Sequence, residues 1–264
     1  MTFRERVGAL PADGRRGEVR VDRDGDVAII TIDHPSARNA MSPGMMVQLA
    51  DGVGALAGAS GPLTGVRAVV MVGAGGTFCA GGDLAAVQDH LLQPGIAREM
   101  QAFMARACDA LAGLPMLVVA AVEGAALGGG AELLSACDVV FAHPSARIGW
   151  VQAAMGVSPG FGGARRLVGR VGRSRAVDIL THARPLSAAE ALNLGIVDGI
   201  AEDPLGRALE RAREAASLPA VAGTAVKPLV DAILAGDGGA EAATFERVWG
   251  GPEHVAALDR FRRR

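Results

Sequence analysis

Four short apolar runs constrain this chain most: residues 27–32, 66–72, 116–122 and 138–142. Each is long enough for a buried strand and too short for a helix. Helical stretches lie between them. Ser42-Pro43 supplies an N-cap and a first-turn proline for a helix running through Leu56, and a longer helix covers roughly 95–113. Asp33-His34-Pro35-Ser36 ends the first run as a turn. Strands alternating with helices as far as about residue 143 predict an α/β core. From 163 onward strand signals nearly vanish. Ser187-Ala-Ala-Glu190 reads as a capping box closed by Gly195, and helical periodicity broken at Pro219 and Gly236 dominates 204–248. Residues 1–18 carry Pro, Gly and charges without a period and predict a flexible arm. The expected organisation is an arm over 1–18, a core over 19–200 and a helical region over 201–264.

Composition narrows the function classes. With 37 glycines and no tyrosine, the core is aliphatic and its backbones approach closely. Lys+Arg 26 against Asp+Glu 28 gives a net charge of −2, which argues against a nucleic-acid binder. Cys79, Cys108 and Cys137 are odd in number and lack metal-ligand spacing, as expected of reduced thiols in a cytoplasmic protein. The first twenty residues have no apolar core of a secretory signal, and no apolar run reaches the ~18 residues of a membrane span. None of the five histidines sits in an HExxH-like pattern, so no metal site is expected, and no GxSxG nucleophile elbow occurs.

Two Gly-rich turns could carry chemistry. The loop 73–84 follows a strand, but Phe78 stands where a dinucleotide fingerprint needs its last glycine, and the Lys-Ser/Thr of a P-loop is missing. It is either a tight connection or a place where free backbone N–H groups meet an oxyanion. The second turn, Glu123-Gly-Ala-Ala-Leu-Gly-Gly-Gly130, leads into a helix whose first N–H groups have no internal partner. Glu132, three residues after Gly129, shares its helical face. It either complements the helix dipole, worth ~0.3–1 kcal/mol, or brings a carboxylate to the same small volume as a backbone donor. Further on, Gln152 and the turn Ser158-Pro-Gly-Phe-Gly-Gly163 read only as a loop. Arg262-Arg263-Arg264 is a solvated tail or a contact for a phosphate.

Taken together, Pro35-Ser-Ala-Arg-Asn-Ala40, Gly75-Gly-Thr-Phe-Cys-Ala-Gly-Gly-Asp-Leu84, Ala126-Leu-Gly-Gly-Gly-Ala-Glu-Leu133 and Ser158-Pro-Gly-Phe-Gly-Gly163 resemble, in order and spacing, motifs of the crotonase (enoyl-CoA hydratase/isomerase) superfamily. The resemblance covers about 19–264. It implies an α/β spiral of ββα units with a C-terminal helical region used for assembly into homotrimers or homohexamers. It also implies an acyl-CoA thioester as substrate, with no cofactor beyond the CoA that the substrate carries. Matched residue by residue, the N–H groups of Ala80 and Gly129 correspond to oxyanion donors. Arg38, Ala40, Ala80, Gly82, Asp83 and Leu84 correspond to positions that line the CoA pocket.

The resemblance also bears on the reaction. Hydratases of the family use two glutamates; Glu132 matches the first, and Gln152 stands at the second. An amide neither takes nor gives a proton near neutral pH, so two-carboxylate hydration lacks a partner. Gly128-Gly-Gly-Ala-Glu-Leu-Leu-Ser-Ala-Cys-Asp138, Val151-Gln-Ala-Ala-Met-Gly156 and Val248-Trp-Gly-Gly-Pro252 are similar to the ethylmalonyl-CoA decarboxylases. That likeness implies loss of carboxylate from ethylmalonyl-CoA or methylmalonyl-CoA through a thioester enolate, with Glu132 as a candidate proton source. Alternatives are an enoyl-CoA hydratase or isomerase, and a non-catalytic acyl-CoA-binding or RNA-binding relative.

Overall fold

Where the sequence predicts a flexible arm over 1–18, the computed structural model, which describes residues 2–58, 61–92 and 95–262, has a packed helix. This helix, α1 (Phe3–Ala9), is closed by a capping box between Thr2 and Glu5 and buries Phe3 and Val7 in the main core. Two apolar residues one turn apart are too few to register as a period. The hairpin of β1 (Glu18–Asp24) and β2 (Val27–Asp33) follows. The charged strand β1 gives no sequence signal because it is a sheet edge that fully buries only Val19.

Next comes α2 (Pro43–Ala57), which starts at the predicted cap: Ser42 Oγ accepts from Met45 N–H and donates to the Arg16 carbonyl. Then follow β3 (Ala68–Gly73), α3 (Leu84–His90), α4 (Ile96–Ala112), β4 (Leu117–Val122), β5 (Ala125–Leu127), α5 (Gly129–Leu134), β6 (Val139–Ala142) and β7 (Arg147–Gly149). The chain continues through α6 (Gly163–Val171), α7 (Arg173–His182), β8 (Leu186–Ser187), α8 (Ala188–Asn193) and β9 (Gly199–Ile200). It ends in α9 (Pro204–Ala216), α10 (Ala220–Leu234), α11 (Ala240–Val248) and α12 (Pro252–Arg262). The predicted capping box on α8 is present, with Ser187 and Glu190 serving each other's backbone N–H.

The main sheet has the order β1-β2-β3-β4-β6-β9 and is parallel except for β1–β2. A small second sheet joins β5, β7 and β8. Residues alternate between the two faces of the central strands. Val69, Met71, Val118 and Ala120 face the core shared with α2 and α4, whereas Ala68, Val70, Val119 and Ala121 face Ala208, Ala212 and Ala216 of α9. Burial on both faces explains why these strands read as unbroken apolar runs. It also means that α9, although it lies within 201–264, covers the sheet. Only α10–α12 extend beyond it. They leave Val226, Val230, Ile233, Leu234, Phe245 and Trp249 exposed. Of the Arg tail, Arg263 and Arg264 lie outside the described residues.

Candidate active site

The segments that follow β2, β3 and β4 are stitched to one another by backbone and amide bonds. Asn39 and its neighbour Arg38 adopt left-handed backbone angles, φ 58° and 51°, a conformation that asparagine tolerates better than most residues. The buried Asn39 side chain accepts from His34 N–H and donates to the carbonyls of Ala74 and Thr77, tying the loop after β2 to the loop after β3. Cys79 pairs with β5: its N–H donates to Ala125 O at 2.8 Å and its carbonyl accepts from Leu127 N–H at 3.0 Å. Two glycines are required here. A Cβ at Gly130 would lie 2.2 Å from the Cys79 carbonyl, and Gly81, at φ +115°, would bring one to 3.0 Å from Leu127 O. The two Gly-rich turns are therefore pressed together, with Gly81 beside the Gly129 nitrogen.

One of the two N–H groups expected as oxyanion donors has a partner in this structure. The Ala80 N–H donates to Arg38 O at 3.1 Å, so it is engaged within the fold. Its neighbours Met41 and Asp83 are likewise paired, Met41 N–H to Gly81 O and Asp83 N–H to Met41 O. Among the described residues, the N–H groups of Gly82 and Gly129 donate to no partner. Both residues line one cavity of about 370 Å³, together with Arg38, Ala40, Ala80, Asp83, Leu84 and Gln152. The positions that the resemblance matches to the CoA pocket thus line the same cavity. Asp83 also caps α3, accepting from Ala85 and Ala86 N–H. Exposed Leu84, Met155 and Val157 give the cavity an apolar rim.

The contacts of Glu132 show which donors hold its carboxylate. The side chain is 2% exposed and lies outside the set of cavity-lining residues. One oxygen accepts from Gln152 Nε2 at 2.9 Å and Gly160 N–H at 3.0 Å. The other accepts from Phe161 N–H at 2.7 Å and Gly163 N–H at 2.9 Å. The cause is physical: the start of α6 presents unpaired N–H groups, and a buried carboxylate takes whatever donors are within reach. Gln152 does belong to the cavity, and its contact with Glu132 unites two residues twenty positions apart.

The turn 158–163 holds what the sequence leaves unread. The Phe161 ring sits 2.8 Å from where a Cβ on Gly129 would be, backing the peptide that carries the free N–H. The Phe161 carbonyl accepts from Arg166, which also bonds Ser135 Oγ and Asp109. Both sides of the Phe161 residue are thereby clamped, by Glu132 and by Arg166. In the sequence this turn shows as glycine density and as one of the four motifs that carry the family resemblance. Cys79, next to the site, is no nucleophile: burial pushes its thiol up to about 12. Among the described residues, no group of three or more His, Cys, Asp or Glu could hold a metal.

The enoyl-CoA hydratase/isomerase family matches residues 22–248. An ethylmalonyl-CoA decarboxylase from Danio rerio is 36% identical, covering 97% of this chain and 86% of its own length. A second, from Gallus gallus, is 36% identical over 89% of this chain and 80% of its own. Among solved structures, an enoyl-CoA hydratase from Bacillus anthracis superposes with a TM-score of 0.86 at 27% identity, covering 93% of this chain and 96% of that one. The chain belongs to the enoyl-CoA hydratase/isomerase family, within the crotonase superfamily.

Proposed function

We propose that this chain is a lyase that decarboxylates a short 2-alkylmalonyl-CoA, ethylmalonyl-CoA or methylmalonyl-CoA, as the activity named for its Danio rerio and Gallus gallus relatives suggests. One observation carries the choice of reaction. The acid/base pair that adding water would need is replaced by Gln152, an amide, and Glu132, a carboxylate occupied by four N–H donors. Decarboxylation asks for neither partner. As the carboxylate leaves, charge develops on the thioester oxygen, and preorganised donors stabilise it; one such donor is worth ~2.7–4 kcal/mol of barrier. The N–H groups of Gly82 and Gly129 form this oxyanion hole, with Gly82 in the role that the motif match gives to Ala80. Arg38, whose guanidinium has no hydrogen-bond or ion-pair partner among the described residues, is available to a CoA phosphate at the cavity wall. CoA enters as part of the substrate, and no further cofactor is needed.

Hydration of a short enoyl-CoA is the second reading, favoured by the likeness to the Bacillus anthracis hydratase. The two are separated with ethylmalonyl-CoA labelled with ¹³C in its free carboxyl and with crotonyl-CoA, products being followed by mass spectrometry. Labelled CO2 with unchanged crotonyl-CoA is the expected result. Hydrated crotonyl-CoA without labelled CO2 would reverse the assignment.

The working unit is a homotrimer or homohexamer in the cytoplasm. Support for assembly comes from the apolar residues exposed on α10–α12 and the 470 Å³ cleft that Trp249, Val221 and Pro252 help to line. Soluble proteins seldom leave large contiguous apolar patches bare. Light scattering coupled to gel filtration is expected to give three or six times the 26.8 kDa chain mass.

A further inference from the structure

The N-terminal residues 2–16 grip α3 and α4, the two helices that follow the Gly-rich turn 73–84. At α4, Arg6 donates to both oxygens of Glu99, at 2.8 and 3.3 Å, and the Phe3 ring lies 5.0 Å from that of Phe103. At α3, the 3-10 turn Ala12–Arg15 meets His90, whose ring comes within 3.5 Å of the Asp13 carboxylate. A Cβ on Gly14 would lie 3.0 Å from the same ring, so glycine lets the arm pass this close. The His90 side chain is left only 14% exposed. The arm is itself anchored on α2: Ser42 Oγ donates to Arg16 O, and a Cβ on Gly44 would stand 2.9 Å from the Arg15 Cα.

The helix α3 carries part of the cavity wall. Its first residues, Leu84 and Ala85, line the cavity, and Leu84 is 60% exposed at the rim. The helix has seven residues and fully buries only Ala86. A helix this short is not stable by itself, and one buried alanine contributes little to holding it. At ~1.5 Å per residue it is about 10 Å long and turns as one body, so fixing His90 at one end fixes Leu84 at the other. The oxyanion donors are held differently. Backbone bonds of Met41 flank Gly82, and bonds from Leu127 N–H to Cys79 O and from Gly128 N–H to Gly149 O lead into Gly129. His90 takes part in none of them.

We infer that residues 2–16 act as a strap on the acyl-CoA cavity, and that His90 is the positioning residue through which the strap holds Leu84 at the rim. The inference rests on reading the cavity as the acyl-CoA site and holds whichever reaction follows. The strap governs how tightly the thioester is held, and the oxyanion hole governs how fast it reacts. Loosening the strap therefore weakens binding, while a bound thioester still meets the same two N–H donors.

The test titrates butyryl-CoA into the full-length wild type, His90→Ala and Gly14→Val by calorimetry, and follows hydrogen–deuterium exchange in the same three proteins. His90→Ala removes the ring that the arm grips, and Gly14→Val drives a side chain into it; neither alters a residue that lines the cavity. In both variants the amides of Val87 and Leu91, which donate to Asp83 O and Val87 O, are expected to exchange faster, with β3 and β4 protected as in wild type. The Kd for butyryl-CoA is expected to rise ~3–10-fold as Leu84 loses part of its contact with the ligand. Saturating ethylmalonyl-CoA is expected to be turned over with kcat unchanged. A role confined to stability would lower Tm and leave Kd alone, and that result overturns the inference. So does unchanged exchange of the α3 amides in His90→Ala. Absence of butyryl-CoA binding by the wild type would instead overturn the acyl-CoA reading of the cavity, and the inference with it.

Discussion

Replacing Glu132 with Gln separates a carboxylate that builds the site from one that moves a proton. The substitution keeps the shape of the side chain and leaves one acceptor oxygen in place of two. That oxygen is best used on the buried N–H groups of Phe161 and Gly163, which lie at 2.7 and 2.9 Å. The new NH2 group then faces Gln152, whose amide can turn over to accept from it, while Gly160 N–H loses its partner. Two bonds that fall from charge-assisted to neutral lose about 1 kcal/mol each, and an unpaired, part-buried N–H costs about as much again. Relief of a buried charge opposes this loss, but four donors already offset most of its desolvation. The net expectation is a destabilisation of about 3 kcal/mol, or roughly 6–12 °C in Tm for a chain of this size. Urea and thermal denaturation measure it directly. Decarboxylation by the folded variant is expected to fall well short of the ~10²–10⁴-fold loss that removal of a general acid causes. An unchanged Tm with turnover down by that factor would refute the structural role and make Glu132 the proton donor.

Three further substitutions probe other parts of the account. Gly82→Pro removes the N–H assigned to the hole, and a Cβ there has room, its nearest neighbour being Val87 at 3.9 Å; turnover is expected to drop ~10²–10³-fold. Near-normal turnover in folded protein would place the donor elsewhere. Gln152→Glu sets a second carboxyl against Glu132 at the 2.9 Å contact, where the two cannot both ionise. It is expected to introduce some crotonyl-CoA hydration, and a steady enoyl absorbance would contradict that. Glu190→Gln tests the cap of α8. Hydrogen bonds from Arg184 and from Ser187 hold the Glu190 carboxyl down from 4.5 to about 2. A lowered folded value stabilises above the unfolded one, so wild type is expected to exceed the variant in stability above pH 4.5, with the gap closing as pH falls toward about 2. Glu190 is partly exposed and the gap small, so salt is expected to shrink it; a gap independent of pH would exclude the linkage.

Elements whose signals are local were legible in the sequence. Ser42-Pro43 and Ser187–Glu190 announce their helices because a cap needs only neighbours. The strands β3 and β4 are legible because burial on both faces makes them apolar throughout. The strands β5, β7 and β8 were not, at three, three and two residues; they exist through pairing partners far along the chain. The same limit governs the site. The motif around Ala80 identifies the right loop, but which N–H is free depends on Arg38 O, more than forty residues earlier. Gln152 and Glu132 were legible as a pair. That Glu132 turns to the Phe161 turn depends on donors at the start of α6, which glycine density alone does not reveal.

The central claim is that this cavity serves enolate formation by decarboxylation and not addition of water. Its most direct test is kcat/KM for ethylmalonyl-CoA decarboxylation and for crotonyl-CoA hydration, measured on one preparation of the wild-type protein. A value for decarboxylation well above that for hydration is the predicted result. Hydration faster than decarboxylation would contradict the account and show that Glu132 activates water without a second carboxylate.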